Sequence, residues 1–319
     1  MANLSTQKGS VITAIVKIAR PIHWVKNFSL FAAIFLTGLL FEKEMFIRVV
    51  WSFVAFSFIT SATYIVNDIL DANVDRLHPT KKFRPIALGT LSVPIALIEC
   101  FGFIFLALAI GISINPLLFM LLSVYLIMQL FYSLGLKNIA IIDILIIAAG
   151  FIMRVYAGAF VIDAHLSVWF LLCVVSVALF LASGKRRAEL NIAQAGDNVT
   201  RKSLGDYKKD LLNSYVTMFG NASWMSWALF TFFESPKAAL PFWLVLAELS
   251  RTTTINKLLM LTIPVTIFGI MRYEALIFEG RSETPEKLLL TDRPLIVGVI
   301  LWVLIVYWVL YSGIAVTGI

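Results

Sequence analysis

The stretch from Tyr64 to Gly89, YIVNDILDANVDRLHPTKKFRPIALG, is the most informative part of the chain, because a dense charged motif follows directly on a long apolar run. Within it, Asp68, Asp71 and Asp75 are three and four residues apart, so a helix would place their carboxylates on one face. Neighbouring carboxylates repel one another unless a cation lies between them. This acidic motif, NDILDANVD at 67–75, therefore predicts a cation site with Asn67 as a neighbouring polar ligand.

The chemistry of the acidic motif indicates Mg²⁺ and a phosphorylated substrate. Mg²⁺ commonly binds one or two carboxylates together with substrate phosphates. The basic residues that follow the motif are suited to bind those phosphates. They are Arg76, Lys81, Lys82 and Arg84. We therefore predict that Asp68, Asp71 and Asp75 are catalytic residues that hold Mg²⁺ against a diphosphate. A solvated charged loop without chemistry is the plainer alternative.

Composition identifies the chain as an integral membrane protein. Of its 319 residues, 60% are hydrophobic and only 14% are charged, whereas soluble proteins carry about 25% charged residues. The net charge of +7 comes mainly from loops beside the apolar runs, so it does not indicate a nucleic-acid partner. Cys100 and Cys173 both lie within apolar runs, and neither a disulfide nor a zinc site is expected.

Apolar runs of about 20 residues predict nine membrane-spanning helices in a single domain at 1–319. The predicted spans are 22–41, 46–66, 92–112, 116–134, 139–161, 166–184, 213–233, 257–278 and 294–316. Within an N-terminal cytoplasmic or interfacial segment at 1–21, residues 10–19 predict a short amphipathic helix on the membrane surface. The segment 238–249 is too short to span and predicts an interfacial helix, with a broken or re-entrant helix as the alternative.

The distribution of Lys and Arg predicts the orientation in the membrane. Most basic residues fall in the N-terminal segment and in the connections after the second, fourth, sixth and eighth spans. The opposite connections, such as 113–115 and 163–167, are short and almost uncharged. Since cytoplasmic loops carry an excess of Lys and Arg, we expect the N-terminus and the acidic motif to face the cytoplasm.

Two further basic groups are predicted to bind the phosphates of the donor substrate. RPIHWVKN (20–27) opens the first span and supplies Lys26. SGKRRAEL (183–190) leaves the sixth span with consecutive cations that are suited to clamp a phosphate. They are Lys185, Arg186 and Arg187.

An acid and a base also lie inside one predicted span. Asp143 and Arg154 are eleven residues apart, about three helical turns, so they share a helix face. Because charge in the bilayer is costly, both should point into the bundle, where we expect Asp143 to orient Arg154. Lys137 and Arg154 are candidate contacts for a lipid phosphate. The full set of candidates for a pocket around the lipid phosphate is Tyr64, Tyr132, Lys137, Asp143, Arg154, Glu189, Arg272, Tyr273 and Asp292.

These motifs resemble those of the UbiA prenyltransferase superfamily. The acidic motif matches NDxxDxxxD, the first of that superfamily's aspartate-rich motifs, and the apolar pattern agrees over nearly the whole chain. The resemblance implies an all-α membrane bundle of nine helices around a central cavity that opens to the cytoplasmic side. It also implies that Mg²⁺ held by aspartates binds a substrate diphosphate.

The chain departs from most of that superfamily after the sixth span, where GKRRAEL stands in place of a second acidic motif. In this it is similar to one branch, which transfers 5-phosphoribose from phosphoribosyl pyrophosphate to a polyprenyl (decaprenyl-type) phosphate and releases pyrophosphate. That similarity implies a bacterial inner membrane and a product used in cell-wall biogenesis. Membrane lipids would be further partners, and lipid-facing apolar surface would permit a homo-oligomer.

Two alternatives stay open at this point. The first is a prenyltransferase that moves an isoprenoid from its diphosphate to an aromatic acceptor. The second is a transporter of a lipid phosphate or an anion, for which the charges inside the bilayer would mark a pathway. Pyrophosphate release with each donor, or metal-independent transport, would separate them.

Overall fold

The structure is a computed structural model, and it describes residues 11–77, 81–195, 202–234, 253–279, 288 and 291–311. These residues form helices and connecting turns, without a β-strand among them. Seven helices in this part of the chain are long and apolar enough to cross a membrane. The predicted all-α membrane class is thereby confirmed.

Ten α-helices of at least six residues provide the framework. They are α1 (Val11–Ala19), α2 (Phe31–Leu36), α3 (Lys43–Leu70), α4 (Val93–Ile114), α5 (Pro116–Leu134), α6 (Ile142–Val161), α7 (Val168–Ala195), α8 (Lys209–Phe233), α9 (Ile263–Phe278) and α10 (Arg293–Tyr311). Two 3₁₀ segments run directly into the α-helices that follow them: Pro21–Leu30 into α2 and Thr253–Thr262 into α9. A third, Leu136–Asn138, is separated from α6 by one short turn.

The predicted spans agree closely with the observed helices. Seven of the nine coincide with helices that meet the length and hydropathy of a membrane span. The other two are 213–233, which is α8, and 22–41, which is a 3₁₀ segment followed by α2. The count of nine spans and the central cavity stay predictions, and the segment 238–249 lies outside the described residues.

The predicted amphipathic helix near the N-terminus is present as α1. Ala14 and Ile18 are buried against α3 and the turn Pro85–Leu88, whereas Ile12 is 71% exposed and Val16 56% exposed. The Nζ of Lys17 donates a hydrogen bond of 3.2 Å to the carbonyl of Phe83. This helix thus packs on the protein with one face and presents apolar side chains outward with the other. Its contact with the membrane surface stays a prediction.

The hairpin between α4 and α5 shows how local sequence ends a helix. Asn115 is extended, and its side chain accepts a 2.8 Å hydrogen bond from the Leu117 amide. Pro116 occupies the first position of α5, where the missing N–H costs nothing. The side-chain Nδ2 of Asn115 also donates to the Phe160 carbonyl at 3.0 Å, which ties this hairpin to the end of α6.

Gly158 allows a close approach of two backbone segments in the core. It lies on α6 where that helix meets the 3₁₀ segment Pro21–Leu30, which we name the first-span segment, and a Cβ built there would come within 1.9 Å of the Leu30 carbonyl oxygen. No side chain fits in that space without a shift of the backbone. The close contact places α6 against the segment that carries the RPIHWVKN motif.

We expect Gly158→Ala to destabilise the protein by about 1–3 kcal/mol or more, as overpacking of a filled core does. The measurement is thermal unfolding in detergent. Gly102→Ala on α4 is the matched control, because nothing lies within 4 Å of its added methyl group. An unchanged unfolding temperature for Gly158→Ala would contradict the close contact.

Candidate active site

The acidic motif is helical, with one break. Helix α3 ends at Leu70, and the single turn Ala72–Asp75 continues it. Backbone hydrogen bonds run from the Asp71 amide to the Asn67 carbonyl (2.9 Å) and from the Asp75 amide to the Asp71 carbonyl (2.8 Å). The spacing of Asp68, Asp71 and Asp75 therefore is that of a helix, with the first and last buried.

Three cations neutralise the acidic motif, and two of them, Arg20 and Lys137, come from distant segments. Arg20 forms an ion pair with Asp68. The Nη1 of Arg84 lies 2.6 Å from Asp75 Oδ2 and 3.1 Å from Asp68 Oδ1. The Nζ of Lys137 lies 2.6 and 2.8 Å from the two oxygens of Asp71 and 3.3 Å from Asn67 Oδ1. The mutual repulsion of the three carboxylates is thus offset by protein cations.

Arg20 is a site residue that the sequence reasoning did not assign. It has a left-handed backbone, φ 52° and ψ 58°, between α1 and the first-span segment. Its guanidinium also lies over the Tyr64 ring, 4.8 Å from the centroid, and the His23 ring packs on the same tyrosine at 5.2 Å. The only sequence signal was its place at the start of RPIHWVKN.

The described residues contain no group of three or more His, Cys, Asp and Glu side chains arranged for a metal ion. However, Asp68 and Asp75 converge on one nitrogen of Arg84, while Asp71 turns to Lys137. Two carboxylates are what Mg²⁺ typically takes from a protein when substrate phosphates supply the rest. The residues present therefore fit Mg²⁺ through this pair.

A second charged cluster lies where α6 and α7 meet. The Arg186 side chain is fully buried and pairs with Glu189, and its Nη2 donates to the Tyr132 hydroxyl at 2.8 Å. Its Nε lies 2.5 Å from Asp143 Oδ2, an ion pair without the alignment of a hydrogen bond. We name Asp143, Arg186, Glu189 and Tyr132 the arginine cluster.

The neighbouring Arg187 is also buried. It donates to Asn191 and, at 2.5 Å, to Asn213 Oδ1, and it lies over the Phe278 ring. Both arginines are thus enclosed by protein partners. The prediction that they bind donor phosphates is not supported by this placement, because an enclosed guanidinium does not face a soluble substrate.

The expectation that Asp143 orients Arg154 is wrong. Arg154 donates to Asn27 Oδ1 (2.7 Å), to the Tyr125 hydroxyl (3.0 Å) and to the Gly150 carbonyl. The two charged residues do share α6, but a separation of eleven residues is about 16 Å along the axis, which is too far for contact. Arg154 instead joins α6 to α5 and to the first-span segment.

The other predicted residues are more dispersed. Arg76 and Lys82 are exposed, with Arg76 Nε 3.3 Å from the Ala87 carbonyl and Lys82 over the Phe83 ring. Three lysines are half-buried. They are Lys26, Lys81 and Lys185. Arg272 pairs with Asp292 at 2.7 Å, and Tyr273 packs on Phe180.

Tyr207 was missed by the sequence reasoning, since nothing in its spacing points to the site. Its hydroxyl donates to Asp143 Oδ1 (2.7 Å) and accepts from the Ile141 amide (2.5 Å). Burial, together with the hydrogen bond to Asp143, raises the pKa of the Tyr207 hydroxyl above its usual value. The phenol therefore stays protonated and donates at any physiological pH.

The model of the UbiA prenyltransferase family matches residues 27–252. The chain belongs to this family. The UbiA-type fold is also seen in a solved structure, a UbiA homolog from Archaeoglobus fulgidus bound to DMAPP and Mg²⁺. That structure has a TM-score of 0.65 and 18% identity, and the match covers 93% of this chain and 98% of the other.

Two curated relatives are each named decaprenyl-phosphate phosphoribosyltransferase. The Corynebacterium glutamicum protein is 36% identical over 304 residues, which cover 93% of this chain and 86% of the relative. The Mycobacterium tuberculosis protein is 33% identical over 298 residues, which cover 92% and 93%. With its apolar helices and these UbiA relatives, the chain is a multi-pass membrane protein and a transferase.

Proposed function

We propose that this UbiA-family protein transfers 5-phosphoribose from phosphoribosyl pyrophosphate to a polyprenyl phosphate, with Mg²⁺, on the cytoplasmic side of a bacterial membrane. The observation that carries the proposal is the meeting of Asp68 and Asp75 at Arg84 Nη1. One position thus offers carboxylates for a hard cation and a guanidinium for phosphate. The names of the two curated relatives support the substrate pair.

The acidic motif would hold the donor at its pyrophosphate end. Asp68 and Asp75 are the residues that would bind Mg²⁺, and the ion, when present, neutralises charge on the departing pyrophosphate. Arg84 and Arg20 can then exchange carboxylate oxygens for phosphate oxygens, which guanidinium groups bind in the same planar geometry. Both are partly exposed, at 23% and 16% of their side chains, so they can reach a substrate.

The transfer itself needs positioning more than proton chemistry. The C1–O bond of the donor breaks with its electron pair leaving on pyrophosphate, and a lipid phosphate oxygen forms the new bond to C1. A phosphate monoester has a second pKa of about 6, so the acceptor is already ionised at neutral pH and no general base is required. We assign Lys137 to the lipid phosphate, since its ammonium reaches the acidic motif from the α5–α6 connection.

The arginine cluster favours the proposed phosphoribosyl transfer over a prenyltransferase with a second acidic motif. At the position where a second acidic motif would be expected, the chain buries Arg186 between Asp143 and Glu189. This placement favours a donor that is bound through a single acidic motif.

The test is pyrophosphate release by the purified protein with Mg²⁺, phosphoribosyl pyrophosphate and a polyprenyl phosphate. We expect release only when all three are present, with ribose 5-phosphate appearing on the lipid. Turnover of a prenyl diphosphate with an aromatic acceptor, and silence with phosphoribosyl pyrophosphate, would contradict the proposal and favour a prenyltransferase. Silence with both donors would refute both enzyme assignments under these conditions.

A further inference from the structure

We infer that Tyr207 is a positioning residue, whose hydroxyl holds the turn before α6 in the conformation that sets Lys137 against the acidic motif. The effect of Tyr207 on turnover rests on the proposed function, whereas its restraint of the turn does not. Tyr207 lies in the connection between α7 and α8, far along the chain from both groups that it would control.

The turn before α6 is strained. Ile141 has φ 70° and ψ −48°, a positive-φ combination outside the standard allowed regions that a β-branched side chain strongly disfavours. A residue in such a conformation persists only where its surroundings hold it there. The Tyr207 hydroxyl is the acceptor for the Ile141 amide, at 2.5 Å, and it also donates to Asp143 two residues later. One side chain thus fixes the first turn of α6 at two points.

Tyr207 is itself firmly held. It is only 6% exposed and packs in a cluster with Ile144, Leu204 and Leu212. The short helix Lys202–Gly205 just before it packs directly against the Leu136–Asn138 turn. The residue that restrains the α6 turn is therefore anchored by α6 and α8, and its own segment touches the backbone that carries Lys137.

The restraint reaches the site through a short piece of backbone. Lys137 lies four residues before Ile141, in a 3₁₀ turn closed by hydrogen bonds from the Asn138 and Ile139 amides to the Gly135 and Leu136 carbonyls. From this turn its ammonium contacts Asp71 at 2.6 Å. A change of backbone at Ile141 would therefore displace the base of the Lys137 side chain.

Tyr207→Phe tests this idea because it removes the hydroxyl and keeps the ring. We expect faster hydrogen exchange at the Asn138 and Ile139 amides and a turnover that falls by up to about 10²-fold, the effect of misplacing a site group by about 1 Å. Tyr215→Phe is the matched control. Tyr215 packs beside the same cluster, and its hydroxyl has no hydrogen bond with the described residues.

Ile141→Gly should rescue the Tyr207→Phe variant if Tyr207 acts by restraining the turn. It should not do so if Tyr207 only fills space. Glycine adopts positive φ without strain, and the Ile141 side chain is 47% exposed, so its loss removes little packing. In the Ile141→Gly background, Tyr207→Phe should therefore change exchange and turnover much less than it does alone. If Tyr207→Phe alone fails to fold, recovery of folding in the double variant supports the same conclusion.

Two results would overturn the inference. One is wild-type exchange at the Asn138 and Ile139 amides in Tyr207→Phe. The other is a double variant that is no better than Tyr207→Phe alone. If the wild-type protein does not turn over phosphoribosyl pyrophosphate, the proposed function fails, whereas the exchange experiment still decides the role of Tyr207.

Discussion

Asp68→Asn is expected to lower the turnover of phosphoribosyl pyrophosphate by about 10²–10³-fold, the usual effect of removing one preorganised charge contact. The Asp68 carboxylate is buried and meets both Arg20 and Arg84. The amide keeps the shape of the side chain but removes the charge that a hard cation requires. Arg84 keeps its 2.6 Å contact with Asp75, so we expect the protein to fold normally.

Asp163→Asn is the control for that experiment. Asp163 is exposed after the end of α6, opposite to the end that carries Asp143, and its φ of 50° is one that asparagine tolerates. Both variants should unfold at nearly the wild-type temperature, and only Asp68→Asn should show the loss of turnover. An active Asp68→Asn enzyme with unchanged Mg²⁺ dependence would remove Asp68 from the proposed metal ligands.

Arg186→Gln is expected to destabilise the fold by about 3–5 kcal/mol, the typical cost when one member of a buried ion pair is removed. The Arg186 side chain is fully buried, and its loss would leave Asp143 and Glu189 without their shared cation. The measurement is the unfolding temperature in detergent, which should fall clearly. This differs from the prediction that Lys185 and Arg186 bind the donor phosphates, for which the main effect would be a raised KM for the donor.

Lys185→Gln is the adjacent control. Its side chain is half-buried, so we expect a much smaller change in the unfolding temperature than for Arg186→Gln. If Arg186→Gln unfolds like the wild type but has a raised KM for phosphoribosyl pyrophosphate, the arginine cluster belongs to the donor site after all.

Local spacing was a good guide to part of this site. The carboxylates of the acidic motif lie within one or two helical turns, and their helical arrangement follows from backbone geometry alone. The same reasoning placed Asp143 and Arg154 correctly on one helix. It failed for their contact because a shared face does not bring side chains together across three turns.

Two of the three cations that pair with the acidic motif could not be obtained in this way. Arg20 and Asp68 are 48 residues apart, and Lys137 and Asp71 are 66 apart, so each pair meets only through the packing of whole helices. The same holds for Tyr207 and Asp143, which are 64 residues apart. Residue type and spacing carry no information on contacts of this kind.

The helix α1 has a consequence for how the protein is handled. It presents Ile12 and Val16 outward, while Lys17 reaches the Phe83 carbonyl one residue before Arg84. The backbone next to Arg84 is therefore linked, through α1, to the medium around the protein. We therefore expect the measured kinetics to depend on the nanodisc, lipid mixture or micelle that is used. We expect this effect to reach the site through α1.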